Sequence, residues 1–246
     1  TIPAMKREGY PAPFAVGVAS ISSILGPIIP PSIVLIVYAS ITNVSVAELF
    51  LGSVLPGIIL AVALIAYGLY YGHKHNLPAH EKPNLRKIGA SVRKGIWALL
   101  MPIIILGGIY SGLFTPTEAA CVSVFYAILV SLFIYKTIQL KDLIPFLCSS
   151  VKTYGGLAFV LAFATAFGRV LSMTKATQAV EAFIVSNFHS AALLLTVLVL
   201  VFLLLGMVMD TGPAIIILAP VLLPAVEALG VDSVHFGVVL VCCLSI

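Results

Sequence analysis

Between Phe14 and Thr42 the chain sets 29 consecutive residues without one charged side chain. A run of that length exceeds the roughly 20 apolar residues that carry a helix across a bilayer. Comparable runs recur along the chain, so charge is scarce throughout: 9% of the 246 residues are charged and 61% are hydrophobic. A soluble domain carries about 25% charged residues. So few charges cannot cover a water-facing surface, which excludes a soluble globular enzyme. Disorder is excluded as well, because its signature is low hydrophobicity. The sequence therefore predicts an all-α polytopic membrane protein in contact with a lipid bilayer, with roughly six to nine embedded segments.

The first run also contains Gly26-Pro27-Ile28-Ile29-Pro30-Pro31-Ser32. Each proline removes a backbone donor and clashes one turn back, so a single regular helix cannot pass through this stretch. The expected object is a discontinuous helix with halves over 12–25 and 33–42, followed by a turn and cap at Thr42-Asn43-Val44-Ser45. A second span is expected over 47–71, with Pro56-Gly57 near one end, then a polar loop over 72–94 and an apolar run over 95–110. Thr115-Pro116-Thr117-Glu118 reads as a helix start: a cap, a proline in the first turn, and an acid near the positive end. Further spans are expected over 117–135 and 153–171, with an amphipathic interfacial helix over 136–152 between them. Two apolar runs, Ala191–Leu205 and Ala214–Val226, flank Gly206-Met207-Val208-Met209-Asp210-Thr211-Gly212-Pro213. They are short for two crossings and suit a re-entrant hairpin whose tip stops inside the membrane, where protein or a watery cavity must surround it.

The basic residues test this topology. Two lie in 1–11, six in 72–94 and three in 136–152, eleven of the thirteen, whereas the opposing loops 43–46, 111–117, 172–188 and 229–234 hold only Lys175. The segments alternate correctly only if 12–42 crosses once as a broken helix and 189–228 enters and leaves on one side. The basic loops are assigned to the cytoplasm. Phe14, Val16, Ser23 and Ile24 recur as Phe236, Val238, Ser245 and Ile246 at a constant offset of 222, a weak internal repeat. It places a second broken helix from Phe236 onward. The start at Thr1 has no signal-peptide pattern, and both ends look cut, so a fragment of a longer protein is expected.

Chemistry concentrates at the two breaks. Interrupted helices offer backbone carbonyls and hydroxyls that can replace water around Na⁺. Ser23 and Gly26 at the first break are candidates for an ion or substrate role, while Ser20 and Ser22 read as packing residues. Asp210 is the outstanding single residue: a carboxylate at membrane depth costs roughly 2.5–3.5 kcal/mol on insertion scales and needs a partner, a cavity or a proton. Capping of the following helix and participation in an ion site are both open to it. Arg169 reads as a snorkelling or paired cation, and His73, His75 and His80 as solvated. Cys121, Cys148, Cys242 and Cys243 lack metal-ligand spacing and read as buried thiols. There is no basic face with stacking aromatics for nucleic acid, and no nucleotide loop or hydrolase motif, so the chain is not read as an enzyme.

GPIIPPSIVLIVYASITNVSVAELFLGSVLPGI, GGIYSGLFTPTEAA and GMVMDTGPAIIILAPVLLP followed by LGVDSVHFGVV resemble, in this order, the large membrane subunit of TRAP transporters. The resemblance covers essentially the whole chain and is closest to members that carry sialic acid. It implies an inverted-repeat fold with an elevator mechanism, and Na⁺-coupled import of an organic acid such as sialic acid or a C4-dicarboxylate. It implies three partners: a periplasmic substrate-binding protein, a small membrane subunit and the organic-acid substrate, in a bacterial inner membrane. On that pattern Ser23, Gly26, Gly206, Asp210 and Thr211 belong to Na⁺ sites. Pro30, Pro31, Ser32 and Thr211 belong to the substrate site, where helix amino ends would face a carboxylate. Residues 1–46 would form a transport-domain segment, 47–152 scaffold and arm helices, and 153–246 the second-repeat segment. The alternatives are a binding-protein-independent Na⁺/dicarboxylate symporter and a non-transporting assembly protein or channel.

Overall fold

The computed structural model describes residues 1–7, 9–75 and 85–246, so His80 and the middle of the 72–94 stretch lie outside the described residues. Helices are the only regular secondary structure among the described residues: α1 (Ile2–Arg7), α2 (Ala12–Ser22), α3 (Leu25–Ile28), α4 (Ile33–Thr42), α5 (Val46–Lys74), α6 (Leu85–Tyr110), α7 (Pro116–Leu129), a π-helical turn (Val130–Ile134), α8 (Leu140–Met173), α9 (Ala176–Asn187), α10 (Ala191–Gly206), α11 (Thr211–Ala228) and α12 (Ser233–Ser245). Six described segments are long and apolar enough to cross a membrane, counting 12–42 as one. Their outward faces stay apolar. Leu51, Leu55, Ile59 and Val62 of α5 are all well exposed, a surface that hydrocarbon covers and water does not. The chain is a multi-pass membrane protein.

The first apolar run breaks where its prolines require. Helix stops at Ser22, resumes for one turn over α3, and is non-helical through Ile29–Ser32. The Pro30-Pro31 bond is cis. Helix then restarts because Ser32 caps it, its Oγ accepting from Leu35 N–H at 3.4 Å. Asn43, in the left-handed region at φ 58°, ends α4, and Ser45 Oγ accepts from Glu48 N–H to open α5. The expected start at Thr115 carries a full capping box: Thr115 N–H donates to Glu118 Oε2 at 2.8 Å, and Glu118 N–H to Thr115 Oγ1 at 3.3 Å. Pro56, Pro102, Pro145, Pro220 and Pro224 sit inside helices, as membrane helices tolerate.

Four expectations need correction. Residues 136–152 and 153–171 are not two elements but the single helix α8, 34 residues long. The polar residues around 150 do not interrupt it, because a hydroxyl can bond back one turn, as Thr153 Oγ1 does to Ser149 O at 3.0 Å. Lys152 is thus a helix-interior cation rather than a loop one. The stretch 172–188 holds α9, docked through Ile184, and Arg86, Lys87, Arg93 and Lys94 are on α6 rather than in a loop. Of the cysteines, only Cys243 is buried, Cys242 is half-buried, and Cys121 and Cys148 are exposed.

A similar helix-ending turn precedes both segments of the weak repeat, at an offset of 221 rather than 222. Near Gly9 (φ 88°) the N–H of Gly9 donates to Lys6 O and that of Tyr10 to Met5 O. Near Gly230 (φ 80°) the N–H of Gly230 donates to Glu227 O and that of Val231 to Val226 O. These are the same helix-ending motif, with glycine supplying the left-handed residue. Each is followed by a new helix, α2 in one case and α12 in the other.

α12 is the centre of the core. Phe236, Leu240, Val241 and Leu244 are essentially fully buried, and α12 packs against α3, α4, α5, α10 and α11. Its amino end is capped by Asp232, whose Oδ1 accepts from Val234 and His235 N–H at 2.9 and 3.1 Å. Tyr38 of α4 lies flat over Gly237: a Cβ there would be 2.4 Å from the Tyr38 ring. The Tyr38 hydroxyl donates to Ser233 O at 2.7 Å. Overpacking a tight core costs about 1–3 kcal/mol, so Gly237→Val should lower the thermal unfolding temperature in detergent. Gly17→Ala, whose added Cβ meets nothing within 4 Å, should leave it unchanged.

Candidate functional site

The tip of the α10–α11 hairpin is fastened to the end of α12. Helix α10 ends at Gly206, and a Cβ on that residue would lie 2.8 Å from the Leu244 carbonyl oxygen and 3.1 Å from its Cα. Only hydrogen in place of a side chain lets the two backbones approach this closely. Across the tip, Thr211 Oγ1 donates to the same Leu244 oxygen at 3.3 Å. Asp210 is the cap of α11 and accepts from Thr211 N–H at 3.0 Å, while its carboxylate remains exposed. The hairpin helices have 16 and 18 residues, about 24 and 27 Å of rise against a ~30 Å hydrocarbon core; α11 reaches the length of a crossing and α10 falls below it.

The tip and the first break meet at one cavity of about 340 Å³. Its walls are Pro27 of α3, Ile33, Val34 and Val37 of α4, Asp210–Pro213 of the hairpin, and Tyr154, Val160 and Leu161 of α8. The amino ends of α4 and α11 both open onto it. A helix amino end presents free N–H groups and the positive end of the macrodipole, so two such ends on one cavity favour an anion there. The remaining wall is apolar, as in small-molecule sites generally.

Of the residues singled out from the sequence, Asp210 and Thr211 line this cavity. Ser32 is adjacent but turned inward: it is 2% exposed, it caps α4, and its hydroxyl donates to Pro27 O. Pro30 and Pro31 form the non-helical link beside it, and neither lines the cavity. Ser23 lies at the α2–α3 step, exposed, donating to Ser20 O at 2.6 Å. Gly26 is in the short turn of α3, and a Cβ there would meet nothing within 4 Å. Gly206 supports the tip from behind through Leu244. The oxygens gathered at the tip, the Asp210 carboxylate, the Thr211 hydroxyl and the Leu244 carbonyl, are the hard donors that Na⁺ takes. Arg169 is exposed near the end of α8, and His73 and His75 are exposed at the end of α5.

Sequence reasoning missed the third wall. Tyr154 and Leu161 lie two turns apart on α8 with Val160 beside the latter, but many apolar residues of a membrane helix are so spaced, so nothing marked them. It also missed Leu244, which acts through its backbone and so leaves no trace in side-chain identity.

The family model described as "Tripartite ATP-independent periplasmic transporter, DctM component" matches residues 1–246. This chain belongs to the DctM family. Among its relatives, a putative TRAP transporter large permease protein of Haemophilus influenzae is 38% identical, covering 98% of this chain and 56% of the relative. The C4-dicarboxylate TRAP transporter large permease protein DctM of Pseudomonas aeruginosa is 39% identical with the same coverage. The sialic acid TRAP transporter large permease protein SiaM of Vibrio cholerae is 33% identical, covering 96% of this chain and 56% of the relative. The expected leaning toward sialic-acid members is therefore corrected: the dicarboxylate relative is the more similar. The chain spans about half the length of the curated relatives it matches. The family is one of transporter permeases rather than enzymes.

The tip contacts generate two expectations. Asp210→Ala removes the cap acceptor and should cost about 1 kcal/mol of stability, while Asp210→Asn, which keeps an acceptor oxygen, should cost little. Gly206→Val should push the tip off Leu244. Its signature would be faster proteolysis at 207–210 than in the parent, and an unchanged cleavage rate would contradict the close approach.

Proposed function

We propose that the protein is the transport subunit of a secondary importer of organic acids in a bacterial inner membrane. It would be coupled to Na⁺ and fed by a periplasmic substrate-binding protein. The carrying observation is the cavity on which the amino ends of α4 and α11 converge. An organic acid needs this environment: N–H groups and positive helix ends for its carboxylate, apolar walls for its carbon skeleton. Thr211 and the amide ends beside Ile33 and Gly212 would hold the carboxylate. Ser32 would act indirectly, by fixing the start of α4.

Na⁺ enters this reading as a co-transported substrate. Asp210, Thr211 and the Leu244 carbonyl would offer it oxygens at one end of the cavity, with Gly206 permitting the approach. Ser23 and Gly26 would serve a second ion at the first break. A cation beside Asp210 would offset its charge and reduce repulsion of the incoming carboxylate, which makes ion binding and substrate binding mutually reinforcing. The family's tripartite description and the printed functions of its relatives support a small membrane subunit and a periplasmic binding protein as partners. The broken helix and short hairpin suit an elevator motion in which the site moves as a unit. A second reading, a symporter that needs no binding protein, shares the same site and differs only in partner dependence.

The test is uptake of labelled succinate and sialic acid by the complete permease in proteoliposomes with its small subunit. A Na⁺ gradient and the binding protein are each supplied or withheld. The proposal expects uptake only when both are present. Uptake with Na⁺ alone would favour the independent symporter, and gradient-driven uptake of neither acid would contradict transport. Asp210→Asn should fold normally and lose most of the Na⁺ activation of uptake, and an unaltered Na⁺ dependence would remove Asp210 from the ion site.

A further inference from the structure

Away from the transport cavity, α7 and α8 are consecutive antiparallel helices joined by the short link 135–139. Such neighbours ordinarily close along their apolar faces. These two do not. Val124, Ala127 and Ile128 of α7 face Leu143, Leu147 and Ser150 of α8 across a cleft of about 220 Å³. The two rows follow the same helical spacing. The other side of α7 is engaged with α6, where the Tyr126 hydroxyl donates to Trp97 O at 2.7 Å and the Tyr135 hydroxyl to Lys94 O at 2.9 Å. These bonds tie α7 and the turn after it to α6. The π-helical turn between the two tyrosines shifts the helical phase, so that both can reach α6.

The same bonds gather charge at one end of the cleft. Tyr135 precedes Lys136, and its partner carbonyl belongs to Lys94. Arg93, Lys94, Lys136 and Lys141 are all exposed there. The nearby carboxylate, Asp142, accepts from Gln139 N–H at 2.8 Å, and none of the four cations makes an ion pair among the described residues.

We propose that the α7–α8 cleft and its cationic rim form a binding site for one anionic phospholipid, an acyl chain lying in the cleft and the phosphate on Lys136 and Lys141. Size decides against a helix inserted in the cleft. The cleft's 220 Å³ extends along roughly 10 Å of helix between Val124 and Ser131. That cross-section takes one hydrocarbon chain and excludes an α-helix, which is about 10 Å wide with its side chains. Charge decides the headgroup: exposed lysines and arginines at a membrane surface select anionic lipid. Trp97, exposed one turn from Lys94, lies where an interfacial aromatic is expected.

The experiment uses the complete protein, purified in mixed micelles with equal phosphatidylglycerol and phosphatidylcholine, with bound lipid counted by native mass spectrometry. The parent should retain one phosphatidylglycerol in preference to phosphatidylcholine. Lys136→Gln with Lys141→Gln should reduce that preference by roughly 30-fold, the weight of two surface cations facing an anionic headgroup, while Lys136→Arg with Lys141→Arg should keep it. Ala127→Phe fills the cleft with every cation in place and should abolish retention of either lipid. Thermal unfolding of each variant in the same micelles identifies any that has lost its fold. Equal retention of both lipids by the parent would overturn the proposal. So would unchanged phosphatidylglycerol retention in either the glutamine or the phenylalanine variant.

Discussion

The structure depends on α12 accepting two close neighbours, one at each end. At its amino end the Tyr38 ring lies on Gly237 and its hydroxyl reaches the Ser233 carbonyl. At its carboxyl end the hairpin tip presses Gly206 on the Leu244 backbone and adds the Thr211 bond to the same carbonyl. Both contacts need a glycine, because a Cβ at either position would fall within 3 Å of the partner. In lipid, apolar side chains gain little by leaving hydrocarbon for one another, so close backbone approach and hydrogen bonds carry helix association. α12 thereby fixes the broken helix and the hairpin relative to one another. The cavity between them follows from that placement.

The breaks explain why an otherwise uniform apolar chain has a site at all. A regular membrane helix satisfies its own backbone groups and offers a ligand nothing polar. Interrupting α2–α4 at Ile29–Ser32, and turning α10 into α11 at 207–210, frees helix ends inside the apolar body. Two of those ends, at Ile33 and Thr211, open on one cavity. Apart from Asp210, Thr211 and Tyr154 its walls are apolar, so orientation of a ligand falls to backbone groups.

Much of this was legible because prolines, glycines and caps act locally. Pro27, Pro30 and Pro31 required the first break, Thr115 and Glu118 announced a helix start, and Gly206 to Pro213 marked the tip. The hidden parts depend on tertiary placement. The stretch around Lys152 reads as an interfacial change of helix, yet α8 runs through it, since neither serine nor one lysine obliges a helix to stop. The contribution of Tyr154, Val160 and Leu161 to the cavity has no local cause; it arises from how α8 packs on α11. The pair of helix-ending turns at Gly9 and Gly230, one residue out of register with the sequence repeat, is likewise a matter of backbone geometry that few identities record.

The central claim is that one cavity, bounded by α4 and the hairpin tip, receives the transported acid. It is tested most directly by cysteine accessibility in the complete permease with its native cysteines replaced. Cysteine would be introduced singly at Val34 and at Gly212, on opposite walls, and at Leu51 on the outward face of α5. Labelling by a small water-soluble maleimide would then be timed with and without substrate and Na⁺. The account predicts that substrate with Na⁺ slows labelling at both Val34 and Gly212 and leaves Leu51 unaffected. Protection at neither wall, or at one wall alone, would contradict a shared site.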